Sequence, residues 1–492
     1  TVGLYGTAFG AASIATGFSV LQTCLLSLLA FSGASQFAVV GVMGAGGTAI
    51  AAIATATGRG GVGIIRVSGP LSIIIAQTML GFIPTTRQAH FCDFKDSDQQ
   101  TLDQGIALFF KGPNSFTGED VLELQGHGGI AVMQLLLARC IECGARLAMP
   151  GEFTERAYLN DKIDLAQAEA VADLINASTS EAAKSAMLSL NGYFSNKIND
   201  LLKELIDLRM YIEACLDFPE EEIDFITTGK VKEKLLSLKL RMDEVILSAK
   251  QGHLLREGLT VVLVGQPNVG KSSLLNQLSG NDQAIVTSIP GTTRDPIKSE
   301  IQIDGIPIHV IDTAGLRDTH DEIEKMGIEK TWISIEKANI ALFLVDAGKG
   351  ITDYEKIILN RIPKDVFKVW VHNKIDLLSK KASSEMIDGE HHLFISAKNG
   401  EGLAQLKTTL LKMAGVEFSK DGNQGVFMAR QRHLDALNTV SKHLNESVNQ
   451  LQSPELVAEE LRQAQTSLAS ITGEFTPDDL LGEIFSRFCI GK

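Results

Sequence analysis

Short apolar runs that end in turn residues organise the first part of the chain. Ile50 to Ile53, Gly63 to Val67 and Ile106 to Phe110 have the length and composition of strands, whereas Ile130 to Cys143 is long enough for a helix. Strands mixed with helices in this way predict an α/β domain at residues 48–160.

Helical periodicity replaces this pattern from about Asp161, which is expected to begin the helical region. Leu201, Leu205, Leu208 and Ile212 recur at intervals of four, three and four residues, so they share one face of a predicted helix. A comparable spacing returns near the C-terminus. Its apolar positions are Val457, Leu461, Ala464, Leu468 and Ile471.

Between these helical regions, an apolar run from Val261 to Val264 ends in the sequence Gly-Gln-Pro-Asn-Val-Gly-Lys-Ser at residues 265–272. This sequence matches the phosphate-binding loop G-x-x-x-x-G-K-[ST], which lies between a strand and a helix. Glycines let successive backbone N–H groups converge on phosphate oxygens. Lys271 adds positive charge at the outer phosphates, and the Ser272 hydroxyl is a ligand for Mg²⁺.

Three further motifs follow in the order that a guanine-nucleotide domain requires, each after an apolar run. Residues 312–315 match the segment that meets Mg²⁺ and the γ-phosphate. Residues 373–376 end in Asp376, whose carboxylate accepts two hydrogen bonds from the N1 and 2-amino groups of guanine, a donor pair that adenine lacks. Residues 396–398 resemble the loop behind the guanine ring. Together the four motifs predict a GTPase.

The predicted GTP contacts lie in these motifs and in the stretch between the first two of them. They are Asn268, Val269, Gly270, Lys271, Ser272, Ser273, Thr287, Ser288, Ile289, Pro290, Gly291, Thr292, Thr293, Asp312, Thr313, Ala314, Gly315, Asn373, Lys374, Ile375, Asp376, Ser396, Ala397 and Lys398.

Two departures from small Ras-like GTPases concern catalysis. Leu316 stands where those proteins have a glutamine that orients the attacking water, so hydrolysis must depend on other groups. Asn268 and residues 285–295 offer amide and carbonyl oxygens for a monovalent cation, which would take the place of an arginine finger. The groups available for water positioning in the same switch are Arg317, Asp318, Asp321, Glu322 and Glu324.

Several long motifs in one order resemble the MnmE (TrmE) family of bacterial tRNA-modification GTPases over residues 48–492. Besides the nucleotide-binding motifs, they are residues 58–66, 113–120, 123–129, 150–157 and 488–492. The resemblance implies a tetrahydrofolate-binding and dimerisation domain at 48–160. It also implies a helical domain split into 161–257 and 424–492. A Ras-like GTPase domain, a mixed sheet flanked by helices, would be inserted between them at 258–423.

The resemblance further implies ligands and partners. Folate, as a 5-formyl or 5,10-methylene derivative, would contact Arg66, Glu123, Lys162 and Lys492. Mg²⁺ would bind Ser272 and Thr293, and K⁺ would bind Asn268, Thr287, Ile289 and Thr292. Glu324 and Lys271 would be catalytic. The implied assembly is a cytoplasmic homodimer that works with an FAD-containing, MnmG-like protein on the wobble uridine of tRNA.

Charge and cysteine content limit other functions. The chain has 45 basic and 59 acidic residues, a net charge of −14, which argues against a protein that coats nucleic acid unaided. The six cysteines form no disulfide framework and indicate a reducing compartment. Cys140 and Cys143 have the spacing of a metal or redox motif, but their apolar helical run favours buried thiols. Cys489 is expected to position ligands rather than act as a nucleophile.

Residues 1–58 contain no charged residue and no histidine. The run from Phe18 to Phe31 is apolar enough to suggest a membrane segment, whereas Leu25 to Gly47 resembles AzlC-type permeases. We expect residues 1–47 to be an extraneous joined segment. Two rival functions remain at this point: an Era-like switch in ribosome assembly, and a membrane transporter component that rests on this extension alone.

Overall fold

The computed structural model contains two β-sheets, each packed with helices. The structure describes residues 49–56, 58–217, 230–279, 298–312, 332, 335, 336, 338–364, 366–413, 425–473, 478–486, 488, 489 and 491. These residues form two compact units, divided between Ala168 and Glu169, and the residues from Asp478 onward belong to the first unit. The predicted combination of α/β and helical parts is confirmed.

The first unit is built on a six-stranded sheet with the order β3-β4-β5-β2-β1-β6. Its strands are β1 (Ile50–Ile53), β2 (Gly60–Ser68), β3 (His90–Lys95), β4 (Thr101–Phe110), β5 (Val121–Gly128) and β6 (Arg146–Leu147). One face packs on α1 (Ser72–Leu80) and α2 (Ile130–Glu142) through buried residues such as Ile65, Leu124 and Leu136. The three predicted strands and the predicted helix are confirmed.

The predicted helix start at Asp161 is wrong. Asp161 has a φ of 54° and lies in a turn after α3 (Glu152–Leu159), whereas α4 comprises Leu165–Asn176. The cap is Asp164, whose Oδ1 accepts the Gln167 N–H at 2.8 Å while the Gln167 Oε1 accepts the Asp164 N–H at 3.0 Å. This reciprocal pair satisfies two N–H groups that a helix start leaves unpaired.

The second unit contains a bundle of long helices. They are α5 (Ser180–Leu190), α6 (Tyr193–Asp217), α7 (Val231–Glu257), α11 (Gln431–Asn449) and α12 (Pro454–Ala469). All four apolar positions predicted to share a face of α6 are buried, as are the five predicted near the C-terminus. Burying these stripes against one another stabilises the bundle, since each fully buried leucine contributes about 1.5–3 kcal/mol.

The same unit contains a seven-stranded sheet with the order β12-β13-β11-β10-β7-β9-β8. Its strands are β7 (Leu259–Val264), β8 (Lys298–Ile303), β9 (Ile306–Asp312), β10 (Ile340–Asp346), β11 (Phe367–Asn373), β12 (Ser383–Ile387) and β13 (Glu390–Phe394). The central strands are parallel, and β8 and β12 are antiparallel to their neighbours. Its helices are α8 (Lys271–Ser279), α9 (Asp353–Leu359) and α10 (Leu403–Met413). Apolar cores lie on both faces.

One buried carboxylate joins the two points at which the chain passes between the bundle and this sheet. Asp173 Oδ1 accepts hydrogen bonds from Arg256 Nε and from Arg430 Nη2, both at 2.8 Å. Arg256 lies in the last turn of α7, which leads into β7. Arg430 is the residue just before α11, the helix that follows the sheet and its helices along the chain. One turn earlier on α4, Glu169 accepts two bonds from Arg432 at 2.7 and 2.8 Å.

The hairpin of β8 and β9 packs against the bundle at its tip. The Thr179 hydroxyl caps α5 by accepting the Ala182 N–H at 3.0 Å, and it donates to the Gly305 carbonyl at 2.8 Å. Gly305 has a φ of 86°, and a Cβ there would lie 2.5 Å from Glu181 Cγ. Only glycine therefore fits this turn without displacing its neighbour.

Candidate functional site

The phosphate loop joins β7 to α8, as the motif requires. Asn268, with φ 63°, and Gly270, with φ 105°, both adopt left-handed conformations that turn the backbone sharply. A Cβ at Gly270 would collide with the side-chain amide of Asn373. The loop therefore depends on a glycine at this position, and this arrangement leaves its backbone open for a phosphate to approach.

Polar groups of the loop fit a magnesium-bound triphosphate. Lys271 lies back across the loop, and its Nζ donates to the Gly265 carbonyl at 2.8 Å. Ser272 and Asn268 are exposed, so their side chains are accessible to a ligand. A cation, a hydroxyl and a glycine-lined backbone are the groups that bind phosphates and Mg²⁺ in loops of this kind.

Asn373 ties the loop to the motifs expected to recognise guanine. It is buried, its Nδ2 donates to the Val269 carbonyl at 2.8 Å, and its Oδ1 accepts the Ala397 N–H at 2.9 Å. One side chain thus holds three loops at the carboxyl edge of the sheet. The neighbouring His372 ring stacks on Phe394, and burial lowers the pKa of His372 to about 4, so this ring is neutral at pH 7.

The carboxylate expected to read guanine is oriented by the last motif. The Ser396 hydroxyl is buried and donates to Asp376 Oδ1 at 2.7 Å, and the same oxygen of Ser396 accepts the Asn399 N–H at 3.3 Å. Because Asp376 Oδ1 accepts this hydrogen bond, the carboxylate has a fixed orientation, and its Oδ2 remains available to a base.

These loops enclose a cavity of about 1020 Å³, which is at the upper end of the range for ligand pockets. The predicted residues that line it are Asn268, Gly270, Lys271, Ser272, Ser273, Asn373, Lys374, Asp376 and Lys398. Val269, Ile375 and Ala397 are buried and support the wall from behind. The structure thus brings the first, third and fourth motifs together.

Other predicted contacts lie outside the described residues. These are Thr287, Ser288, Ile289, Pro290, Gly291, Thr292, Thr293, Thr313, Ala314, Gly315 and Glu324. Of Asp312, the backbone is described as the end of β9. The predicted roles of these residues therefore remain predictions.

Five lining residues were not among the predicted contacts: Gly265, Gln266, Pro267, Tyr354 and Leu377. Gln266 Nε2 donates to Thr352 Oγ1 at 2.8 Å, and the buried Glu355 accepts the Thr352 N–H at 3.0 Å. Gly265 is the first glycine of the phosphate-loop motif, and Gln266, Pro267 and Leu377 lie inside or directly after a motif at positions where the pattern accepts any residue. Tyr354 lies on α9, eight residues after β10, where no motif marks it.

Two of the predicted folate residues pair with each other in the first unit. Arg66 on β2 is opposite Glu123 on β5, and its Nη2 and Nε lie 2.8 and 2.9 Å from Glu123 Oε1. The Arg66 guanidinium also lies over the Phe153 ring at 5.8 Å. Lys162 lies beside Gly118 instead, and Lys492 is outside the described residues.

A partly buried ionic network connects two of the resembling motifs in the same unit. Arg156 Nη1 donates to Glu119 Oε2 at 2.9 Å, and its Nη2 donates to Glu152 Oε1 at 3.0 Å. Burial alone would raise the pKa of Glu152, but hydrogen bonds from Arg146, from the Met149 N–H and from Arg156 lower it below its ordinary value. The network therefore holds α3 against the loop that precedes β5.

The cysteines give no described metal site. Cys140 is fully buried on α2, and burial raises the pKa of its thiol to about 12, as expected for an inert core residue. Within the described residues, no group of three or more histidine, cysteine or acidic side chains is placed to hold a metal. Cys489 is exposed, and its carbonyl accepts the Gly151 N–H at 3.4 Å.

The residues described here include no helix long and apolar enough to cross a membrane. The apolar extension at residues 1–47 lies outside them. A family profile described as "AzlC protein" matches residues 1–58, in agreement with the permease-like sequence noted above.

Two other family profiles match the rest of the chain. One is described as "GTP-binding protein TrmE N-terminus" and matches residues 49–162, and the other is described as "MnmE helical domain" and matches residues 165–489. Among solved structures, Era from Aquifex aeolicus matches 37% of this chain and 66% of its own at 28% identity, with a TM-score of 0.26. The FeoB G-domain from Methanococcus jannaschii matches 32% and 98% at 26% identity, with a TM-score of 0.25.

Curated relatives match nearly the whole chain. The tRNA modification GTPase MnmE of Chromobacterium violaceum is 56% identical over 444 residues, which are 90% of this chain and 98% of that protein. The protein of the same name from Nitrosomonas eutropha is 54% identical over 446 residues, 90% of this chain and 99% of that protein. The chain therefore belongs to the MnmE family of tRNA modification GTPases.

Proposed function

We propose that this protein hydrolyses GTP and, with an FAD-containing partner similar to MnmG, adds an aminomethyl or carboxymethylaminomethyl group to C5 of the wobble uridine, U34, of certain tRNAs. A tetrahydrofolate derivative, in its 5-formyl or 5,10-methylene form, supplies the one-carbon unit. The observation that carries the proposal is the cavity that gathers three guanine-nucleotide motifs in a chain of this family.

The described residues divide the binding of GTP among them. Asp376 accepts the N1 and 2-amino hydrogens of guanine while Ser396 holds it in place. Lys271 and the backbone of the glycine loop neutralise the phosphates. Asn373 keeps the base and phosphate segments at a constant separation, because it bonds to both.

Two metal ions complete the site in this proposal. The Ser272 and Thr293 hydroxyls would hold Mg²⁺, which would supply positive charge at the outer phosphates. Asn268, Thr287, Ile289 and Thr292 would hold K⁺, which would supply the positive charge that an arginine finger gives elsewhere. The exposed side chain of Asn268, on a left-handed backbone at the cavity, supports this assignment. Glu324 positions the attacking water.

The first unit is the proposed folate site. Arg66 and Glu123 form a charged pair on neighbouring strands, and such a pair can bind a ligand that carries both a carboxylate and an amino-substituted ring. Lys162 and Lys492 would add positive charge for the glutamate tail. The protein acts as a homodimer in which paired GTPase domains order each other's switches, and FAD belongs to the partner protein.

Analysis of wobble nucleosides tests the modification. Cells that lack the gene are expected to lose the C5 substituent on U34, as measured by mass spectrometry of digested tRNA. The wild-type gene should restore it, and a gene carrying Asp376→Asn should not. Unchanged wobble nucleosides in the deletion strain would exclude the proposed reaction.

Cation dependence tests the K⁺ site separately. GTP turnover by the purified protein should be high in KCl and fall when NaCl replaces it at the same ionic strength. Asn268→Ala should remove this difference, whereas Asn339→Ala, at an exposed asparagine of the same unit, should preserve it. Equal wild-type turnover in the two salts would contradict the K⁺ assignment while leaving the GTPase activity intact.

A further inference from the structure

Asp346 ends β10 beside the guanine motif and belongs to none of the nucleotide-binding motifs. It is opposite Asn373 in the parallel register of β10 and β11. Its Oδ2 lies 3.0 Å from Lys374 Nζ, and its Oδ1 accepts the Gly348 N–H at 3.0 Å. The side chains of Asp346 and Lys374 are 17% and 31% exposed, so both partners of the ion pair are only partly covered.

Lys374 is held in a conformation that a lysine seldom adopts. Its φ is 68°, in the left-handed region, where a residue other than glycine is strained. Strain of this kind persists only where the surroundings fix it, and it is concentrated at ligand sites. Here the ion pair to Asp346 fixes the end of the side chain, and the Ala347 N–H donates to the Asn373 carbonyl at 2.9 Å, just before the strained residue.

The position of Lys374 matters because it lines the nucleotide cavity with Asp376 and Leu377. A lysine stem is a flexible chain of four methylene groups that loses rotamer entropy when it is ordered. Because the Asp346 carboxylate holds the ammonium group, the lysine stem is already ordered in the free protein, and this entropy is not lost again when the nucleotide binds. The methylene groups then form a preformed apolar wall beside the base-reading carboxylate.

The ionisation state of Asp346 is compatible with this arrangement. Burial alone would raise the pKa of Asp346, but hydrogen bonds from Lys374 and from the Gly348 N–H lower it below its ordinary value. The carboxylate is therefore charged at neutral pH. Lys349 contributes additional positive charge nearby in the same loop.

We propose that Asp346 is a positioning residue for guanine-nucleotide binding, which acts by holding Lys374 against the site of the purine ring. The inference rests on the proposed binding of GTP in this cavity and adds a determinant of affinity to it. Because a methylene stem cannot distinguish purine substituents, Asp346 should affect the affinity for every purine nucleotide that Asp376 accepts, by the same factor. Asp376 alone should decide among the bases.

A double-mutant cycle tests this proposal. The variants are Asp346→Asn, Lys374→Met and the two combined, and the measurements are dissociation constants for GDP and for IDP, which lacks the 2-amino group. Asp346→Asn should weaken GDP about tenfold and leave the ratio of the two constants within twofold of wild type. In the Lys374→Met background, Asp346→Asn should have no further effect, since its only route to the ligand is already removed.

A matched variant and an unfolding measurement complete the design. Asp435→Asn, at an exposed aspartate of α11 that accepts a bond from Gln431, should bind GDP like wild type. Thermal unfolding of each variant checks that the protein is still folded. In folded variants, additive effects of the two substitutions on the dissociation constant for GDP would overturn the proposal. An altered ratio of the GDP and IDP dissociation constants in Asp346→Asn would also overturn it. Failure of the wild-type protein to bind GDP would instead overturn the proposed function itself.

Discussion

Replacing Asn373 by aspartate would remove one hydrogen-bond donor from the centre of the nucleotide site without changing its shape. The new carboxyl would keep an oxygen for the Ala397 N–H, now 2.9 Å away. Its second oxygen would face the Val269 carbonyl at the 2.8 Å that Nδ2 now spans. Two acceptors at this distance in a buried position repel, so the variant must either separate the loops or protonate the acid.

Protonation of the new carboxyl sets the upper limit of the loss in free energy of unfolding. A protonated carboxyl donates to Val269 much as the amide does, so the cost at pH 7 cannot greatly exceed that of protonating an ordinary aspartic acid. Each pH unit corresponds to 1.36 kcal/mol and the ordinary pKa is about 3.9, which gives about 4 kcal/mol. The lower limit is the cost of one unsatisfied buried carbonyl, about 1–3 kcal/mol.

The sign of the pH dependence follows from the same reasoning. The folded protein favours the neutral form of the new carboxyl, so its pKa is raised on folding and the penalty grows as pH rises above the ordinary value. The defect should therefore shrink as pH falls from 7 towards 5, by up to about 1.4 kcal/mol per unit. Nucleotide affinity should follow the same trend, because Val269 belongs to the phosphate loop.

Urea unfolding, followed by the fluorescence of the buried Trp370 on β11, measures this change in the same sheet. The matched control is Asn339→Asp. Asn339 Oδ1 accepts the Thr260 N–H at 2.8 Å, and an aspartate keeps that oxygen, so stability should stay within about 0.5 kcal/mol of wild type. An Asn373→Asp protein as stable as wild type at pH 7, or a defect that does not diminish on acidification, would refute the reasoning.

Two further predictions concern the helical bundle. Glu169→Gln should lower the free energy of unfolding at pH 7 by about 3 kcal/mol by breaking the buried pair with Arg432. The pKa of Glu169 is lowered on folding from its ordinary 4.5, so the free energies of unfolding of the variant and the wild type, measured in urea, should approach each other below about pH 5. A difference between them that does not change with pH would contradict the ion pair. Gly305→Ala should lower the melting temperature more than Gly350→Ala. Both glycines have positive φ, but only a Cβ at Gly305 meets Glu181. Equal decreases in melting temperature would rule out that contact.

Regular patterns made most of the fold predictable. Leu201, Leu205, Leu208 and Ile212 are buried because each turn of a helix returns its side chains to the same face, so their spacing alone indicated the packing. The boundary at Asp161 failed because several aspartates near a helix start are equally good caps by composition. Asp164 provides the cap because Gln167, three residues later, returns the hydrogen bond.

The nucleotide site shows the same division between local patterns and long-range contacts. Residues 265–272 were predictable because a loop that cradles phosphate needs glycine at fixed positions. Asp346 was not, because nothing in its own sequence neighbourhood indicates that β10 lies beside β11. Tyr354 was not, because no motif indicates that its helix, α9, lines the cavity. The pairing of Arg66 with Glu123 was likewise invisible, since it depends on the register of β2 against β5.

The shared carboxylate of Asp173 has a mechanical consequence. Arg256 and Arg430 both reach one of its oxygens, so the long nucleotide segment starts and finishes at a single place on the bundle. The segment is thus an insertion whose two ends share one carboxylate, and the contact of Thr179 with Gly305 attaches it to the bundle at a second place. A displacement of the sheet during hydrolysis would therefore act on the bundle through α4 and α5 together, the two helices that carry these attachments.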